Sequence, residues 1–167
     1  KNIVSNKIFG TIDWNSNLQV RNYDVDRQTE FFVNDANWTS NSWINNLGIE
    51  NKFQGLLKAV NYNSKKTKKF KNDKNNSELF GGIGYLAKLG LYKNNLSSKT
   101  SSSLTPKIFL RYVPGHMRTV DNNAPLKTAD LYRIKRFNEI DFISNGLSAS
   151  VGFDYKTNQL KKDGYLG

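Results

Sequence analysis

Between Leu47 and Ala59 the chain alternates with a period of two. Leu47, Ile49, Asn51, Phe53, Gly55, Leu57 and Ala59 take one parity; Gly48, Glu50, Lys52, Gln54, Leu56 and Lys58 take the other. Side chains on extended backbone point alternately to opposite faces, so this stretch specifies a strand with one apolar and one wet face. The pattern returns from Leu147 to Tyr155, where Leu147, Ala149, Val151, Phe153 and Tyr155 oppose Ser148, Ser150, Gly152 and Asp154. From Leu79 to Leu91 the apolar set is Leu79, Ile83, Tyr85, Ala87, Leu89 and Leu91, opposite a face with Gly82, Gly84, Lys88 and Gly90. Glycine at that density argues against a helix.

Near the start, Ile8, Ile12, Trp14, Leu18 and Val20 share a parity although "WNSN" has turn composition. A two-residue hairpin at Asn15 and Ser16 would flip the parity beyond it, so one long strand is expected; a three-residue loop stays open. Clusters of Asn, Ser, Asp and Gly separate the alternating segments. They predict six or seven strands, near residues 7–22, 28–38, 44–61, 78–92, 105–113 and 147–157. The stretch "LYRIKRFNEIDFIS" leaves residues 131–143 undecided: Leu131, Ile134 and Phe137 have helical spacing amid enough β-formers for an irregular strand. Pro106 and Pro114 are expected to bracket a short strand, Lys107 to Val113, where missing N–H donors disturb the ladder least.

Alternation alone fits a soluble sandwich as well as an outer-membrane barrel. Three features favour the barrel. Several strands exceed the usual length of about five or six residues and reach the roughly 9 to 11 needed to cross a bilayer. Trp38, Trp43, Tyr62, Tyr92 and Tyr155 lie near strand ends, as in an aromatic girdle. Connections range from tight turns to lysine-rich loops, as the two ends of a barrel require. The expected fold is therefore all-β: an antiparallel transmembrane β-barrel segment with long polar loops, forming one domain over residues 1–167. Six or seven strands fall short of the roughly eight in the smallest such barrels, so an incomplete barrel, an excerpt of a larger one, is expected. Leu47, Ile49, Phe53, Leu57, Ile83, Tyr85, Leu89, Ile108, Leu110, Val151 and Phe153 would face lipid. Lys52, Lys58, Lys88 and Arg111 would face the lumen, where they could attract phosphorylated sugar heads or be hydrated.

Composition narrows the chemistry. A formal charge of +11 suits an anionic partner such as nucleic acid, phospholipid or lipopolysaccharide, although Lys65, Lys66, Lys68, Lys69, Lys71 and Lys74 concentrate much of it in one loop. Cysteine is absent and His116 is the one histidine, which excludes a disulfide framework and cysteine-bound or multi-histidine metal sites. His116 sits in a Pro-Gly loop with no partner for acid-base work, and Asp24 and Asp26 read as turn formers. "GGIG" lacks the lysine and helix of a phosphate loop. No enzyme activity and no cofactor are expected. The rival reading is a secreted soluble basic β-sandwich binding an anionic polymer; it would need a stacking platform of aromatics beside the lysines.

Specific wording then enters. "LTPKIFLRYVPGHM" (Leu104 to Met117), "RNYDVDRQTEFFVNDANW" (Arg21 to Trp38) and "NGLSASVGFDYK" (Asn145 to Lys156) resemble the barrel domain of the LPS-assembly outer-membrane protein LptD family, also called organic-solvent-tolerance proteins. The alphaproteobacterial form is the nearest likeness: a "LTPK" strand runs into an "R-[FY]-x-P" ending, then a loop and a Gly-Ser strand ending in "G-x-[DE]-Y-K". The segments keep order and approximate spacing, matching interior strands of that barrel. The resemblance implies a non-enzymatic translocon in the Gram-negative outer membrane. It implies a plug lipoprotein partner, periplasmic bridge proteins that deliver lipopolysaccharide, contact with outer-membrane lipids, and no nucleic acid. A general porin-like barrel fits the same physics and lacks only the motif wording.

Overall fold

The computed structural model describes residues 2–6, 9–24, 27–66, 75–95, 100–115, 126–136 and 143–159. In chain order the strands are β1 (Asn2–Asn6), β2 (Gly10–Asp24), β3 (Arg27–Thr39), β4 (Trp43–Ile44), β5 (Ile49–Lys65), β6 (Asn75–Leu89), β7 (Leu91–Asn95), β8 (Thr100–Val113) and β9 (Gly146–Gln159). All nine join one antiparallel sheet. β3 and β4 both pair with β5, and β6 and β7 both pair with β8, so each couple is one interrupted ribbon. The result is an up-and-down meander. β1 and β9 each have a single neighbour, so the described sheet is not closed.

Residues 10–24 form one strand straight through "WNSN", with Asn15 opposite Asp35 and Ser16 opposite Asn34. The alternation outweighs local turn propensity because a hairpin there would have thrown Leu18 and Val20 onto the opposite face. Two expected boundaries are corrected. Leu47 is not a strand residue: it lies in the turn between β4 and β5. Asn45 Oδ1 accepts hydrogen bonds from the Leu47 and Ile49 amides, both at 3.0 Å, and Gly48 takes φ 75°, where a side chain would be strained. Nor does Pro106 open a strand, since β8 begins at Thr100. Its missing donor falls where β8 passes from β7, paired to Leu104, to β6, paired from Lys107; Gly90 interrupts the neighbouring ribbon there. Pro114 follows the last residue of β8, as expected.

Register sorts the side chains. Ile12, Trp38, Gly55, Ile83, Tyr112 and Leu147 share one cross-strand row, and Phe53, Tyr85, Leu110 and Ala149 another. These rows stand on what we term the bare face, where Leu57, Ile83, Val151 and Phe153 are exposed. The opposite, covered face holds the core: Phe31, Val33, Leu56, Val60, Tyr62, Phe80 and Val113, joined by Ile134 and Ile143 from the segment between β8 and β9. Each such buried apolar side chain contributes roughly 1.5–3 kcal/mol, so the sheet is stabilised from the side that also bears its charges.

Candidate functional site

The site is built from three rows on the covered face. Gln54, Gly84, Arg111 and Ser148 form the first; Lys52, Leu86, Phe109 and Ser150 the second; Glu50, Lys88, Lys107 and Gly152 the third. Gly84 leaves the middle of its row open: a Cβ there would stand 2.6 Å from the Phe109 ring. Phe109 fills that gap, and the long side chains of Gln54 and Arg111 flank it.

Those two residues grip the β8–β9 connection. A short 3-10 turn, Thr128–Tyr132, leads into residues 133–136, which lie against the sheet. Gln54 Oε1 accepts from the Ile134 amide at 3.1 Å, and Gln54 Nε2 donates to the Tyr132 carbonyl at 3.5 Å. Arg111, 2% exposed, donates from Nε to the Ile134 carbonyl at 2.7 Å and from Nη2 to the Ser144 carbonyl and hydroxyl. Tyr132 seats its hydroxyl over Gly152, where a Cβ would collide with it, and its ring lies 4.3 Å from Lys107 Nζ. Glycines 84 and 152 thus make room on the sheet for a covering segment.

Charge completes the arrangement. Lys58, fully buried, lies 3.0 Å from Asp35 Oδ1 and donates to Oδ2 at 3.2 Å; Lys135 reaches Oδ2 at 3.3 Å. An unpaired ammonium at zero exposure would cost several kcal/mol, so Asp35, its cross-strand partner, is the reason Lys58 can be there. Lys88 pairs with Glu50 at 3.0 Å, and Lys107 with Asp154 at 2.8 Å. Arg136 donates to Ser148 Oγ at 2.7 Å and to Ser150 Oγ at 3.5 Å.

The four cations singled out from the sequence, Lys52, Lys58, Lys88 and Arg111, all fall on the covered face. Lys58 and Arg111 serve as buried anchors rather than hydrated lining. On the bare face stand Ile49, Phe53, Leu57, Ile83, Tyr85, Leu89, Ile108, Leu110, Val151 and Phe153. The aromatic set divides. Trp38 lies over Gly55, Trp43 sits 5.3 Å from Phe53, and Tyr155 is exposed beside Leu104; all three are on the bare face. Tyr62 is corrected: it is 4% exposed on the covered face, packed 6.2 Å from Phe31 and bonded to Glu78. Its even position in β5 shares the parity of Lys58 and Val60, a signal that nearness to a strand end had masked. Tyr92, exposed, is in register with Ser103, in line with the covered-face row of Lys107 rather than with Tyr155.

Gln54, Tyr132, Lys135 and Arg136 escaped sequence reading. The parity of Gln54 was legible, but its partners lie 78 and 80 residues away. His116, Lys68, Lys69, Lys71, Lys74 and Asp26 lie outside the described residues. Among the described residues no three His, Cys, Asp or Glu side chains cluster as metal ligands. No protein-family model matches the chain, and no curated protein matches it.

Proposed function

We propose that this sheet is an interior part of an outer-membrane β-barrel that moves lipopolysaccharide to the outer leaflet without catalysing a reaction. One observation carries the membrane reading: the face rich in Leu, Ile, Val and Phe is exposed, whereas Lys58 and Arg111 are buried on the other. Soluble monomers rarely leave an apolar face this wide uncovered while burying charged side chains on the other. Strands of 13 to 17 residues in β2, β3, β5, β6, β8 and β9 exceed the roughly 9 to 11 a tilted span needs.

Orientation follows from the meander. By strand direction, the links after β1, β4 and β7 join strands at one end of the sheet; the two-residue link after β2 and the longer links after β5 and β8 join them at the other. Outer-membrane barrels keep short turns toward the periplasm and long loops outside, so the lysine-rich connection faces the cell exterior. Trp38, Trp43 and Tyr155 then mark the periplasmic interface of the bare face. The substrate, the plug lipoprotein and the periplasmic bridge proteins come from the strand wording alone.

A porin-like pore is the second reading, favoured by residues 132–136 seated on the face that would line a lumen. Depleting the protein in its native cell separates the two. The transport reading expects less lipopolysaccharide at the surface with small-solute entry retained; normal surface lipopolysaccharide with slowed entry of hydrophilic solutes selects the pore.

A further inference from the structure

Two guanidiniums on the covered face have hydrogen bonds but no counter-charge among the described residues. Arg111 is buried and bonds to two carbonyls and a hydroxyl. Arg136, half-buried, spends one nitrogen on Ser148 and Ser150, and its Nε is buried without a partner. Neither meets a carboxylate among the described residues, although Lys58, Lys107 and Lys88 each do. Arg111 and Ser148 are cross-strand partners, so both guanidiniums converge on the same stretch of β8 and β9. Burial holds the Arg136 pKa below its ordinary value, the response expected of a cation short of compensation.

We propose that Arg111 and Arg136, with the hydroxyls of Ser144, Ser148 and Ser150, form a binding site for a phosphate-class oxyanion. A guanidinium offers forked N–H donors matching two oxygens of a tetrahedral anion, and serine hydroxyls rotate to donate to the rest. Such an anion would neutralise both cations together and supply the acceptor that Arg136 Nε lacks. Loop anchoring alone does not require this pairing: Gln54 and Lys135 already hold residues 132–135, and a second cation beside Arg111 raises the cost of burying the first. The inference stands apart from the membrane reading, because these residues lie on the covered face whatever meets the bare one.

Calorimetry on the protein purified in detergent tests it. Inorganic phosphate is titrated at constant ionic strength, in parallel with micelles doped with phosphatidic acid or with phosphatidylcholine. Saturable binding of inorganic phosphate, not reproduced by chloride, supports a site for the free ion. Binding of phosphatidic acid without binding of inorganic phosphate assigns it to a lipid-borne phosphomonoester. No saturable binding in either arm overturns the proposal. Arg136→Gln is expected to weaken binding roughly tenfold to a hundredfold, and Ser148→Ala about two- to tenfold. Unchanged affinity in both folded variants would also overturn it.

Discussion

The bare and covered faces share the same strands and the same backbone ladder, yet they obey opposite rules. Phe53 and Gln54 are neighbours in β5: one stands exposed among Trp43 and Tyr85, while the other grips residues 132–134 of a distant connection. Val151 is 77% exposed, and Ser150, beside it, is buried under Arg136. On the bare face Tyr85 donates to Asn51 and Trp38 to the Phe9 carbonyl, but Leu57, Ile83, Val151 and Phe153 stand exposed, so their surroundings decide whether they are favourable. On the covered face, glycine gaps, a buried ion pair and charged hydrogen bonds fix particular partners. Substitutions at the exposed aliphatic and Phe positions of the first should therefore act by polarity, and those on the second by identity.

The largest effect is expected at Arg111. Arg111→Met leaves the Ile134 and Ser144 carbonyls buried without a donor and should cost about 2–5 kcal/mol in chemical unfolding from detergent. Val151→Arg and Phe53→Arg should hinder insertion by roughly 2–4 kcal/mol if these sites lie near the bilayer midplane, measured by folding into vesicles. Asn17→Arg, on the covered-face parity and exposed, should insert nearly as well as the parent chain. Gln54→Arg would be a poor control because it breaks the grip on Ile134. Gly84→Leu should cost about 1–3 kcal/mol by driving Phe109 from its place, with faster hydrogen exchange at residues 133–136 as its signature. Lys107→Ala should cost about 1 kcal/mol or less, since its pair with Asp154 is partly exposed. Equal tolerance of arginine at Val151 and Asn17 would erase the distinction between the faces.

Strands and their faces were legible in the sequence because alternation is local. Residues 49 to 65, 75 to 89, 107 to 113 and 146 to 159 carry their parity in consecutive letters, and Lys58 and Arg111 inherit their side from it. The covering segment was not legible. Its stability comes from Gln54, Arg111 and Asp35, which lie far off in sequence, and its own wording gives no single period. Pro106 misled for a related reason: its tolerance depends on Gly90, in a different ribbon. The inward packing of Tyr62 follows from its even position in β5, shared with Lys58 and Val60, whereas nearness to a strand end says nothing about face.

The proposed function requires the bare face to meet lipid and the covered face not to. With no native cysteine, single cysteines at Leu57, Ile83 and Val151 and at Asn17 and Lys88 can each carry a nitroxide in the membrane-reconstituted protein. Collision with dissolved oxygen reports lipid, and collision with a water-soluble nickel chelate reports water. Oxygen is expected to dominate at the first three positions and the chelate at the last two. Chelate-dominated collisions at Leu57, Ile83 and Val151 would contradict that requirement.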